Sequence, residues 1–170
     1  EITEPNLQIM GLHPALDGYR MVQLSDIHMD SSMTRERLKK ITTMVNDLKP
    51  DLIVITGDFV SYKVEYVIND LQDALAEFQA PDGVVAVMGN HDHLSGVEKV
   101  RKILKDTGIK ELENDFITIQ RDNGQFYLAG VDSLCAKKAR LDDLLKELPQ
   151  AAPRILLAHA PDFADYAAAS

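Results

Sequence analysis

Residues 52–56, Leu-Ile-Val-Ile-Thr, form an almost continuous β-branched apolar run, which belongs in a strand buried on both faces. Residues 19–25 and 84–88 are apolar runs of similar length. Segments of helical period come after each of them. In residues 34–48, Leu38, Ile41, Val45 and Leu48 recur at three- and four-residue steps on one face, and Pro50 marks the end. Residues 64–78 read as a second amphipathic helix closed by Pro81-Asp82-Gly83, and residues 97–105 as a third, ended near Gly108. Strand and helix in this alternation imply an α/β fold with parallel strands joined by right-handed crossovers. From Ile109 the pattern changes. Strands are predicted at 116–120 and 126–131 around the hairpin signal Asp122-Asn123-Gly124, then a helix at 141–148 and a strand at 155–158. That order suits a second sheet packed on the first, within a single domain over 1–170.

Each apolar run gives way to polar, chemically versatile residues. Asp26-Ile27-His28 comes after the first, Gly57-Asp58 after the second and Gly89-Asn90-His91-Asp92 after the third. His159 succeeds the run at 155–158, with Pro161-Asp162 just beyond. The carboxyl ends of the strands are where ligands bind in open α/β sheets, so these groups are expected to converge on one rim. Asp26 and His28 stand two apart, which in an extended segment places both on one side, able to chelate a single ion. Asp58 has two oxygens with which to bridge two ions, Asn90 offers a neutral carbonyl oxygen and His159 an imidazole nitrogen. Mixed carboxylate, amide and imidazole ligands favour Mn, Fe or Zn over Mg or Ca. Two such ions would activate a water and clamp a phosphoryl group. His91 is then free to stabilise charge or protonate the leaving group. Asp92 either orients His91 through a ring N–H or caps the helix after it.

In this order the motifs resemble those of the calcineurin-like metallophosphoesterases, from about Leu7 to the end of the chain. The wording Leu24-Ser25-Asp26-Ile27-His28, Val54-Ile55-Thr56-Gly57-Asp58 and Ala158-His159-Ala160-Pro161-Asp162 is most similar to a bacterial YkuE-like branch that also includes UDP-2,3-diacylglucosamine hydrolases. The resemblance implies a four-layer α/β/β/α sandwich with a dinuclear metal site. By position it assigns Asp26, His28 and Asp58 to one metal and Asp58, Asn90 and His159 to the other. His91 becomes the catalytic acid or a phosphate contact. The family pattern ends in a Gly-His-x-His motif, which is absent from this sequence. The resemblance therefore implies a C-terminally incomplete fragment of a longer enzyme, with weakened metal binding, weak or no activity of its own, and an open sheet edge that invites pairing with a second copy.

Composition narrows the partners. The formal net charge of -9 argues against a broad nucleic-acid surface, where Lys and Arg must neutralise phosphates. An acidic site still accepts phosphorylated substrates when divalent ions reverse its field. No apolar run is long enough to span a bilayer, and Glu1 in place of Met suggests a trimmed or processed chain, so an anchor or export signal before it is left open. Cys135, the one cysteine, is read as a small buried or half-buried hydrophobe and favours neither cytosol nor periplasm. His13 is read as a surface loop residue, His93 as a loop residue or one supporting the metal ligands, and the charges of residues 99–110 as a solvated face. The loops at 29–33 and 59–63 are the candidate substrate walls. The expected activity is hydrolysis of a phosphodiester, pyrophosphate or phosphomonoester, and resemblance to the branch suggests a lipid-linked nucleotide sugar at a membrane. The alternatives are a non-catalytic scaffold of the same fold, or a nuclease, which the acidic balance disfavours.

Overall fold

The computed structural model describes residues 2–168 and contains two sheets. In the first, β1 (Met21–Leu24), β2 (Leu52–Ile55), β3 (Val84–Ala86) and β4 (Lys110–Glu111) are all parallel and lie side by side in chain order. A right-handed crossover that always steps the same way puts every connecting helix on the same face. α1 (Arg35–Asp47), α2 (Ile68–Leu75) and α4 (Val97–Asp106) accordingly cover one face, with Leu38, Val45, Leu71, Ile103 and Leu104 buried against Ile53, Ile55, Ala86 and Met88. The short α3 (Asn90–Ser95) sits between β3 and α4.

The other face needs a cover of its own, and the alternation of side chains along the strands supplies the surface for it. Leu52, Val54, Val85 and Val87 point away from the helices into a second core, shared with Ile119, Phe126, Leu128 and Leu157 of the second sheet. That sheet holds β5 (Asp115–Arg121), β6 (Gly124–Gly130) and the edge strand β7 (Arg154–Leu157), with β5 antiparallel and β7 parallel to β6. Its outer face packs Tyr127, Ala129 and Val131 against Leu141, Leu144 and Leu148 of α5 (Leu141–Glu147) and its end, and against Phe163 of α6 (Phe163–Ala168). The layers run α/β/β/α.

Several details depart from the pattern expected of the sequence. The helix expected over 64–78 divides into a 3-10 turn, Val64–Tyr66, and α2, because Val67 leaves the helical region at φ -129° and ψ 5°. β4, α3 and α6 were not anticipated; each is six residues or shorter, too brief for periodicity to declare. Cys135 is exposed rather than buried. It lies in the turns between β6 and α5, where no apolar layer covers it. Arg101, within the supposedly solvated stretch, is mostly withdrawn from solvent and ion-paired with Glu98, Glu111 and Glu113.

At the edge away from the strands' carboxyl ends, the two sheets are tied by polar groups. Arg121 bridges Asp51 at 2.9 Å and Asp82 at 3.2 Å. It also stacks over Tyr19, whose hydroxyl donates to Asp82 at 2.7 Å. Burial first, then the Asp82 carboxylate, raises the Tyr19 pKa and keeps that hydroxyl protonated. Arg121→Met is expected to lower unfolding free energy by about 1 kcal/mol in urea titrations, the scale of half-exposed ion pairs.

Candidate metal centre

The carboxyl ends of β1, β2 and β3 carry the predicted ligands, and backbone contacts hold their loops together. Asp26 N–H donates to Gly57 C=O, His28 N–H to Asp58 C=O and Met29 N–H to Phe59 C=O, at 3.1, 2.9 and 2.9 Å. The two loops so joined continue into a Met29–Val60 bridge, and Ser61 Oγ donates to Asp30 at 2.9 Å. The candidate substrate walls therefore form one joined rim.

Asp26, His28 and Asp58 all adopt left-handed backbone, at φ 53°, 48° and 55°. Such conformations cost roughly 1–3 kcal/mol each outside glycine and gather at functional sites. They also correct the reason given for pairing Asp26 with His28. The segment is turned rather than extended, and the turn brings His28 Nε2 to 3.5 Å from Asp26 Oδ1.

Asp58 is the centre of the arrangement. Its side chain is 4% exposed, and Oδ2 lies 3.4 Å from both His28 Nε2 and His159 Nε2. Its other oxygen accepts the His91 backbone N–H at 2.9 Å, which sets the start of α3 against β2. His159 Nδ1 contacts the Thr56 carbonyl at 2.8 Å and must donate there, so in the neutral ring Nε2 turns its lone pair toward the Asp58 carboxylate. A cation between them would relieve a lone pair facing an anionic oxygen at this distance, and the donor set fits a divalent ion. Two groups of ligand atoms lie within 4.8 Å of one another: Asp26, Asp58 and His159, and His28, Asp58 and His91. Asp58 is common to both. These groupings differ from the family assignment, which pairs Asp26 with His28; Asn90 stands at the first position of α3.

His91 packs edge-on against His28 with ring centroids 4.8 Å apart, and its Nδ1 meets the Ser61 carbonyl at 3.2 Å. That carbonyl, not Asp92, orients the ring. Asp92 is fully buried and acts as a staple. Oδ2 accepts the N–H groups of Asp58 and Gly89, both at 2.9 Å, and Oδ1 that of Phe59 at 2.8 Å. Asp92 lies within α3 rather than ahead of a helix, so it closes the first turn of its own helix and joins that turn to the loop after β2. Burial, reinforced by the Asp58 charge and opposed by these donors, pushes its carboxyl up to about 6. His13 is exposed and caps the 3-10 turn Pro14–Leu16. His93 contacts Asp132 at 2.7 Å. Sequence reasoning missed Asp132, although it too stands just past an apolar run, 126–131, and so gave the same signal as the others.

A family model described as calcineurin-like phosphoesterase matches residues 19–169. Among curated proteins, a transmembrane protein with metallophosphoesterase domain from Danio rerio is 31% identical, over 98% of this chain and 40% of its own length. The uncharacterized metallophosphoesterase YkuE of Bacillus subtilis is 30% identical, over 96% of this chain and 58% of its own. The UDP-2,3-diacylglucosamine pyrophosphatase LpxG of Chlamydia muridarum is 40% identical, over 49% of this chain and 26% of its own. The chain thus spans at most about three-fifths of these relatives. Among solved structures, the phosphopantetheinyl hydrolase of Mycobacterium tuberculosis shares the fold with a TM-score of 0.53 at 13% identity, covering 89% of this chain and 71% of that one. No helix among the described residues is long and apolar enough to cross a membrane. With its ordered motifs at the carboxyl ends of a two-sheet sandwich, this chain belongs to the calcineurin-like phosphoesterase family.

Proposed function

We propose that the chain forms a two-metal phosphoesterase site that hydrolyses a phosphodiester, pyrophosphate or phosphomonoester bond. The observation that carries this is Asp58 Oδ2, buried and equidistant from two imidazole nitrogens at 3.4 Å, the place for a bridging ligand. By the family assignment Asp26 and His28 would complete one ligand set and Asn90 and His159 the other, while by distance Asp26 groups with His159 and His28 with His91. Bound Mn, Fe or Zn would supply Lewis acidity and a water acidified enough to attack phosphorus.

The chain's own residues prepare that step. Thr56 C=O fixes the His159 ring so that Nε2 faces the centre, and Asp58 is aligned by the His91 backbone N–H. The His91 ring is held by Ser61 C=O through Nδ1, which must donate there, so its Nε2 faces outward and would protonate the departing oxygen from the imidazolium form. Tyr62 lies in the joined loops, Tyr66 just after them and Leu94 on α3, and all three are exposed, so the segments that carry the site also present apolar surface. Such surface suits an amphiphilic phosphate ester, and the diacylglucosamine pyrophosphatase among the relatives acts on a substrate of that kind.

Metal content after Mn²⁺ loading, by elemental analysis, tests the reading. Two ions per chain are expected at saturating Mn²⁺, bound more weakly than a complete ligand set would hold them, with loss of at least one in Asp58→Asn, which keeps the shape but removes the charge. An unchanged metal content in that variant would put the bound metal elsewhere. Hydrolysis of chromogenic phosphate esters without duplex-DNA cleavage is expected alongside, and the reverse selectivity would favour a nuclease.

A further inference from the structure

α3 carries Asn90 and His91 yet buries almost nothing apolar. Its sequence, Asn-His-Asp-His-Leu-Ser, has one large apolar side chain, and Leu94 is 82% exposed. A six-residue helix does not hold itself together in water. Apolar packing and intrinsic helix stability are therefore both too small to fix this segment. Its anchors are polar. Asp92 ties its first turn to β2, and the second anchor is His93, whose Nε2 meets Asp132 Oδ1 at 2.7 Å across the gap to the second sheet.

Asp132 stands two residues beyond β6, with its side chain 1% exposed. A carboxylate so deeply buried is costly unless its oxygens are satisfied. Oδ1 takes the His93 ring and the Ser133 N–H, the latter at 2.6 Å. Oδ2 has no hydrogen-bond partner among the described residues and lies 3.6 Å from Arg101 Nη2, which is itself ion-paired with Glu113 at 2.9 Å. Arg101 is held by Glu98 and Glu111, at 2.8 and 3.0 Å, so the cation that offsets Asp132 is fixed to α4 and β4. The His93 contact is made with Nε2 as donor, whether the ring is neutral or charged.

We propose that Asp132 is a positioning residue: through His93 it clamps α3 between the two sheets and so holds Asn90 and His91 at the metal rim. The consequence for catalysis rests on the two-metal reading above, whereas the clamp itself does not. Amide hydrogen exchange in the metal-free chain tests the clamp directly. In Asp132→Ala, residues 90–95 are expected to exchange about tenfold faster while β2 and β3 are unchanged, the pattern of a local opening. Asp132→Asn keeps an oxygen for the His93 donor, and His93→Gln keeps a side-chain N–H for Asp132. Both are expected to restore most of the protection.

In steady-state hydrolysis of bis-p-nitrophenyl phosphate by the Mn²⁺-loaded chain, Asp132→Ala is expected to lower kcat by about 10–100-fold, with KM changed less than about threefold. That is the scale on which residues supporting metal ligands act. Asp132→Asn should recover most of that loss. Uniformly faster exchange along the whole chain, or none at residues 90–95, would overturn the clamp. The expected exchange pattern in a chain that binds no Mn²⁺ would instead sink the two-metal reading and leave the clamp standing.

Discussion

Gly89→Ala is expected to cost about 3 kcal/mol of stability, the upper part of the range for overpacking, and to empty the metal site. Gly89 has an ordinary backbone at φ -96°, so conformational freedom is not what the position requires. Space is. A Cβ there would lie 2.1 Å from Asp58 Oδ1 and 2.5 Å from the Asp58 backbone nitrogen. Gly57 faces it from the other loop, where a Cβ would sit 2.4 Å from Gly89 N. Neither contact can be relieved by rotating a side chain end, because backbone stands on both sides. Relief requires the β2 and β3 loops to separate, and that carries Asp58 away from both histidines. Thermal melts and Mn²⁺ content of the variant check both parts. An unchanged melting temperature with two bound ions would show that the loops are not in contact.

Asp92→Ala is expected to be at least as damaging, at about 3–5 kcal/mol. It leaves three buried N–H groups without acceptors, each costing about 1–3 kcal/mol, less whatever entering water restores. Asp92→Asn isolates the charge. Because burial raises the folded-state pKa to about 6, the native chain holds this proton more tightly than the unfolded one, whose value is near 4. Stability from this group is complete below about pH 4 and is lost as pH rises through about 6. The metal-free wild type should therefore hold its greatest advantage over Asp92→Asn near pH 4, and that advantage should shrink by an amount on the order of 2–3 kcal/mol by pH 7. Urea titrations of both proteins across that range measure the difference directly, other titrating groups cancelling. A constant gap would mean that Asp92 titrates at its ordinary value.

Much of this was legible because apolar runs of strand length leave a strong mark, strongest in β2 and β3, which are buried along their whole length, and weaker in the half-buried β1. The runs ending before Asp26, Asp58 and Asn90 are the first three strands of the parallel sheet, and their order along the chain is their order in space. The α/β/β/α layering is a consequence, since Leu52 and Ile53 alternate between the two cores. The hidden part is carried by main chain and by long-range polar contact. Thr56 and Ser61 act through carbonyl oxygens, which any residue possesses, so their side chains announce nothing. The left-handed turn at Asp26 and His28 uses residue types that tolerate it but do not demand it. Arg101 looked like one more surface charge on an amphipathic helix, because the three acidic partners around it come from positions 98, 111 and 113 and periodicity reports only the first. Asp132 repeated the motif's own signal, but in the second sheet, on the strand before the one that delivers His159.

The tie formed by Arg121, Asp51, Asp82 and Tyr19 lies at one end of the strands, and the metal ligands lie at the other. Durability and chemistry are thus addressed by opposite termini of the same short β-segments, separated by a stiff apolar layer. A laboratory selection for heat resistance could rework the first end freely while the second keeps its turnover. Drift in substrate preference could proceed at the second without reopening the seam between the sheets.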